Sequence, residues 1–168
     1  MNTISVLICE DGTHDRFYPL SATRPLCALR AGAFTISERL GLVLAKRFGD
    51  IKPDYRIREA IAPIAPESLG EVPVNCAVNA GEVIIINALL IAHEFPLNAG
   101  EVALVENRVA AAWLDASQAA RYADSLSGAG FDFAALAADP SLRKVNLSDT
   151  WILPDYIWDL ILKNGDII

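Results

Sequence analysis

The chain has 168 residues, 53% of them apolar and 21% charged, and a net charge of -7. That composition supports one soluble domain with one substantial core and excludes a disordered or multidomain chain. The acidity argues against a nucleic-acid partner, which needs a basic face to neutralise phosphates. The longest apolar run, 83–92, is interrupted by Asn87 and falls far short of the ~20 residues that cross a bilayer, so no membrane span is expected. No basic residue precedes the apolar stretch 4–9, and Glu10-Asp11 follows it, which does not fit a secretory leader; the cytoplasm is the expected location. Cys9, Cys27 and Cys76 are an odd number without metal-ligand spacing and read as reduced core residues.

In chain order, ISVLIC at 4–9 is a continuous apolar run ending at a polar, glycine-containing stretch, as a buried central strand does. Residues 17–34 hold Pro19, Pro25 and Gly32 and read as a long irregular connection, a length usually kept for function. A helix opens at Thr35, carries Ile36, Leu40, Val43, Leu44 and Phe48 on one face, and stops at Gly49. Residues 50–82 contain four prolines and predict irregular structure with minor strands near 55–57 and 75–78. EVIIINALLI at 82–91 matches the first strand in composition and predicts its parallel neighbour. Residues 102–105 and 109–114 predict a hairpin turning at Asn107. Helices are expected over 117–126, capped by Asp115 or Ser117, over 131–138 before Pro140, and over 154–163 with Asn164-Gly165 as the stop. The pattern is an α/β, Rossmann-like open sheet, mostly parallel, with a small β-hairpin.

Charge is unevenly spread. From Arg16 to Arg47 six basic residues face the single acid Glu38. Arg39, Lys46 and Arg47 read as the wet face of the helix, which leaves Arg16, Arg24 and Arg30 as candidate ligand cations. In an open α/β sheet the turn after the first strand is the preferred phosphate cradle. Here Gly12 admits close backbone approach, Thr13 adds a hydroxyl, and Arg16 or Arg24 supplies a fork matched to phosphate oxygens. Glu10, Asp11 and Asp15 oppose a bare phosphate unless they are engaged elsewhere, and an ordinary ion-paired surface loop fits the spacing equally well. The loops after residues 9 and 87 are expected to meet at one edge of the sheet, with Arg24 or Arg30 in the wall of the main polar pocket. Histidines 14 and 93 fall near that edge, and the three tryptophans read as core or interface aromatics.

Residues 4–40 resemble sugar nucleotidyltransferases, which open with a strand, a G-G-x-G-T-R loop, a Pro-Leu-Thr element, a Pro-Lys segment and a helix. The segment from Pro19 to Glu38, PLSATRPLCALRAGAFTISE, is more specific. It is similar to a divergent bacterial branch of that family that carries P-L-[ST]-x-T-R-P-x-x-x-L-R-x-G-x-x-T-I-x-E. Members of the branch continue into a left-handed β-helix of the acyltransferase kind, whose repeats do not occur in these 168 residues, so the chain is expected to be the N-terminal domain of a longer one. The resemblance implies a nucleoside triphosphate and a sugar phosphate as ligands, with Mg²⁺ as cofactor. On this chain it points to Arg16 and Arg24 as catalytic cations, and to Asp11, Gly12, Thr13, Arg30 and Asn87 as phosphate- or nucleotide-binding residues.

The chain departs from the family where chemistry is concentrated. Cys9, Glu10 and Asp11 replace the paired glycines, and Ala88 stands where an aspartate holds the metal, so no metal ligand is assigned. The lysine of the Pro-Lys element has no counterpart unless Arg24 or Arg30 supplies its charge. Weak or absent nucleotidyl transfer is therefore expected. The rival reading is a catalytically degenerate binding or scaffolding module for an attached acyltransferase-like region.

Overall fold

The computed structural model describes residues 4–78, 81–163 and 165. A six-stranded sheet, ordered β4-β1-β5-β7-β6-β8, comprises β1 (Ile4–Cys9), β4 (Asp54–Arg56), β5 (Glu82–Asn87), β6 (Glu101–Val105), β7 (Arg108–Leu114) and β8 (Arg143–Asn146). The pairs β1·β4, β1·β5 and β6·β8 are parallel, and β7 runs antiparallel to both its neighbours. The mostly parallel α/β architecture expected from the sequence is present. Inside the long connection lies a small antiparallel pair, β2 (Arg30–Ala31) with β3 (Phe34–Thr35).

The pleat explains why two apolar runs make a two-sided core. Val6, Ile8, Ile84 and Ile86 point to one face, under helix α1 (Ile36–Phe48), with Leu40, Leu44, Phe95 and Trp151. Leu7, Cys9, Val83 and Ile85 point to the other, under α3 (Ala116–Arg121), α4 (Ala123–Leu126) and α5 (Phe133–Ala138). The short helix α2 (Pro66–Leu69) lies in the proline-rich stretch, and α6 (Asp159–Leu162) closes the described chain. Thr35 and Glu38 form a capping box at the start of α1, and their hydrogen bonds hold the exposed Glu38 carboxyl below the usual range. The β6–β7 hairpin turns through Glu106 and Asn107, both at positive φ, the backbone that a two-residue hairpin needs.

Several boundaries differ from expectation. The strand expected over 82–91 stops at Asn87, whose side-chain oxygen accepts the Leu89 amide and turns the chain. The minor strand near 75–78 is not formed. Pairing is a lone bridge at Val74, and Asn75 leaves the extended region with φ 53, bonding Ile57 through its side chain. The helix over 117–126 breaks at Tyr122 into α3 and α4, with Asp115 and Gln118 as the capping box. Tyr122 donates its hydroxyl to Asp139, and burial and that carboxylate push its pKa up to about 12. The last helix covers only Asp159–Leu162, and the expected stop at Asn164 lies outside the described residues.

Strand β8 had no apolar signature. It is an exposed edge docked by backbone pairing and by the ion pair of Arg143 with the buried Glu101. Burial pushes the Glu101 carboxyl up, but hydrogen bonds from Asn98 and Arg143 outweigh it and hold the group below its ordinary range. Among the described residues no helix is long and apolar enough to cross a membrane.

Cys9 and Cys27 are buried, as expected, and burial pushes both thiols well above their ordinary range; Cys76 is exposed, contrary to expectation. A thiol-reactive dye at neutral pH should therefore label one cysteine quickly, with peptide mapping placing it at Cys76. The other two should react only after denaturation.

Candidate active site

Cys9 and Asn87 are register partners at the carboxyl ends of adjacent parallel strands, so the loops that follow them emerge side by side. Gly12, at φ 83, lets the chain reverse into a short 3₁₀ helix, Thr13–Phe17. Asp11 stitches the edge together. Its Oδ1 accepts the Thr13 amide at 3.1 Å and the Thr13 hydroxyl at 2.6 Å, and its Oδ2 accepts Asn87 Nδ2 at 2.8 Å. The two loops meet at one edge as the topology required.

Because β7 is antiparallel, its first residue lies at this same edge. Arg108 Nη2 approaches Asp11 Oδ2 to 3.8 Å and is a buried donor without a hydrogen-bond partner. Nη1 binds Asp155 Oδ1 at 2.6 Å and the carbonyl of Leu153 at 3.2 Å. Asp155 also pairs with Arg16 at 3.2 Å, and the Arg16 guanidinium lies over the exposed Tyr156 ring, which stacks on Trp158. A chain of alternating charges, Asp11, Arg108, Asp155 and Arg16, thus runs along the edge.

On the β4 side, Glu10 is 3% exposed. It accepts from Arg58 Nη1 at 2.6 Å, from the Arg58 amide at 3.0 Å and from the Leu26 amide at 2.9 Å. The acids that seemed to oppose an anion are therefore engaged: Glu10 by Arg58, Asp11 by Thr13, Asn87 and Arg108. Asp15 is exposed, 3.4 Å from His14.

Two cavities flank Asp11. One, of about 470 Å³, is lined by Glu10, Gly12, His14, Arg58 and Gly130 among others. The second, of about 360 Å³, is lined by Asn107, Arg108, Asp132 and Phe133 among others. The cations in these walls are Arg58 and Arg108, where Arg24 or Arg30 was expected. Arg24 is exposed, and its guanidinium makes no bond among the described residues, while its carbonyl accepts from Arg58 at 3.3 Å. Arg30 closes its own turn by donating to the Ala33 carbonyl at 2.9 Å. A larger cavity of about 680 Å³ beside His93 and Trp151 holds none of the predicted binding residues.

Sequence reasoning missed Arg58, Arg108 and Asp155. Arg108 was expected in the hairpin turn just before the strand over 109–114; it is instead the first residue of β7, and only the antiparallel placement of that strand next to β5 brings it to Asp11. No motif marks the other two.

Among the described residues no three of His, Cys, Asp and Glu are arranged so that they could hold a metal ion. Both Asp11 oxygens already accept hydrogen bonds, and Asp132 caps α5 through the Ala134 amide. Ala88 is buried, with its amide bonded to the Cys9 carbonyl. The residues present do not build a resident Mg²⁺ site.

Sheet order and edge geometry together define a nucleotidyltransferase-like α/β domain. The fold is similar to that of CTP:phosphocholine cytidylyltransferase from Streptococcus pneumoniae, with a TM-score of 0.68 over 100% of each chain; at 10% identity this is a likeness of fold. The profile of the sugar nucleotidyl transferase family matches residues 6–168, and the chain belongs to that family. No curated protein matches it in sequence.

Proposed function

We propose that this domain binds a nucleoside triphosphate and a sugar phosphate at the carboxyl edge of its sheet, in the cytoplasm. Gly12 and Thr13 approach the phosphates, and Arg16, paired with Asp155, and Arg24, whose guanidinium is exposed, supply positive charge. Asp11 and Asn87 hold the cradle in shape, Arg30 lies further out on the same loop, and Arg58 and Arg108 form the fixed cationic walls. The observation that carries this reading is the Asn87–Asp11 bond of 2.8 Å, which joins the loops of the two central parallel strands beside Arg108. The family membership favours it over a scaffolding role. A divalent cation would enter with the nucleotide, since Mg²⁺ readily keeps phosphate oxygens as ligands and the chain offers no resident site.

Titration calorimetry with the four common nucleoside triphosphates and with hexose 1-phosphates tests the binding. Arg24→Ala should weaken the bound phosphorylated ligand by about 1.5–3 kcal/mol, the range for a hydrogen bond to a charged group, and leave the thermal melt unchanged. A large drop in melting temperature would instead make Arg24 a structural arginine. Pyrophosphate release from nucleotide and sugar-phosphate pairs is expected to be weak or undetectable, because the family's metal-binding aspartate is replaced by the buried Ala88. Robust Mg²⁺-dependent turnover would overturn that expectation.

A further inference from the structure

The long connection after β1 carries the family-like segment, and its own backbone hydrogen bonds are local, closing single turns such as Ala22 to Pro19 and Ala28 to Pro25 and the short β2·β3 pair. Three short 3₁₀ helices, Thr13–Phe17, Leu20–Ala22 and Leu26–Ala28, are joined through Pro19 and Pro25, which have no amide hydrogen to donate. Its apolar residues Phe17, Leu26, Cys27 and Leu29 are buried in the core, and the stretch between them, around Arg24, is tied by an ion pair between Glu10 at its start and Arg58 beyond it. Arg58 Nη2 donates to the carbonyls of Ser21 and Arg24, Nη1 donates to Glu10, and Glu10 accepts the Leu26 amide. The Glu10 backbone is itself fixed between elements, its amide donating to Arg56 and its carbonyl accepting from Phe131, both at 2.9 Å. Gly130 packs so closely on that carbonyl that a Cβ there would lie 3.1 Å away. The pair is therefore anchored through the Glu10 backbone and grips the loop at three residues, Ser21, Arg24 and Leu26.

We propose that Arg58, acting with Glu10, is the positioning residue of the phosphate site: it sets the backbone at Arg24 relative to the Gly12–Thr13 turn. The guanidinium does this as a fork. One nitrogen satisfies the buried carboxylate and the other bridges two carbonyls that have no partner within the segment, a geometry lysine cannot reproduce. This inference rests on the reading that Arg24 and the Gly12 turn contact phosphate.

Arg58→Lys is the direct test, because it keeps the charge against Glu10 and removes the fork. Glu10→Gln, which keeps the shape and removes the charge, is the second variant. Both are compared with wild type by thermal melt, by hydrogen exchange at Leu26 and Ala28, and by binding of ATP, CTP, GTP, UTP and inorganic tripolyphosphate. Arg58→Lys should melt within a few degrees of wild type, exchange faster at Leu26, and bind the preferred nucleotide about 10-fold more weakly. In its background, adding Arg24→Ala should cost under ~3-fold, where the same change in wild type costs ~10-fold or more, since a mispositioned Arg24 has little left to lose. Glu10→Gln should move exchange and affinity in the same direction. Unchanged exchange at Leu26, or fully additive costs for Arg58→Lys and Arg24→Ala, would overturn the positioning role while nucleotide binding stands. If wild type binds none of the five probes, the binding reading itself fails and the positioning role with it, even where exchange at Leu26 still accelerates.

Discussion

Alanine in place of Trp151 is expected to lower the unfolding free energy by about 3–5 kcal/mol, the usual cost of emptying a large aromatic site. Trp151 is 1% exposed, its ring stacks on Phe95 with centroids 5.6 Å apart, and its indole donates to the Glu94 carbonyl at 3.0 Å. The cost combines lost transfer energy, an unfilled cavity and a carbonyl deprived of its donor. The next residue, Ile152, pairs reciprocally with Ile91, both bonds at 2.9 Å, so Trp151 sits where the segment that delivers Asp155 to Arg108 and Arg16 is tied to the sheet. Denaturant titration of both proteins with matched slopes measures the effect. A loss below about 1.5 kcal/mol would show that the segment is held by its backbone bridge alone.

Glu10→Leu should cost a similar amount, about 3–5 kcal/mol, for a different reason. Volume is nearly kept, but the Arg58 guanidinium, 16% exposed, loses the carboxylate 2.6 Å away, and the Leu26 and Arg58 amides lose their acceptor. Replacing both charges, as in Glu10→Leu with Arg58→Met, should recover only part of the loss. The uncompensated charge disappears, but the amides of Leu26 and residue 58 stay unpaired and the carbonyls of Ser21 and Arg24 now lose their donor as well. Equal stability of the single and double variants in urea melts would mean that the orphaned backbone groups, rather than the lone charge, set the cost.

Trp151 and Glu10 also mark what was legible in the sequence. Trp151 belongs to the core that apolar pattern announces, whereas nothing around Glu10 says which cation will find it. β1 and β5 were readable because strands buried on both faces must be continuously apolar, and α1 because its apolar spacing, its Thr35 cap and its Gly49 stop agree. The β6–β7 turn was readable because Asn107 tolerates positive φ. β8 was not: an exposed edge strand held by ladder bonds and one ion pair carries no hydrophobic signal. Residues 154–158 resembled a helix by periodicity, yet only Asp159–Leu162 is helical, and Asp155 instead meets two arginines.

The same division runs through the site. The sequence by itself determined the α/β class, the meeting of the loops after residues 9 and 87, and Asp11, Gly12, Thr13 and Asn87 as neighbours, because side-by-side parallel strands must release their loops at one end. Only the tertiary structure decided which cations stand there. The reversed direction of β7 carries Arg108 to Asp11, and the end of β4 carries Arg58 to Glu10, across 97 and 48 positions of chain. Such pairings are chosen by strand order and direction, and the burial of Glu10 then makes its pairing obligatory, since a carboxylate removed from water must find a partner charge wherever the fold supplies one.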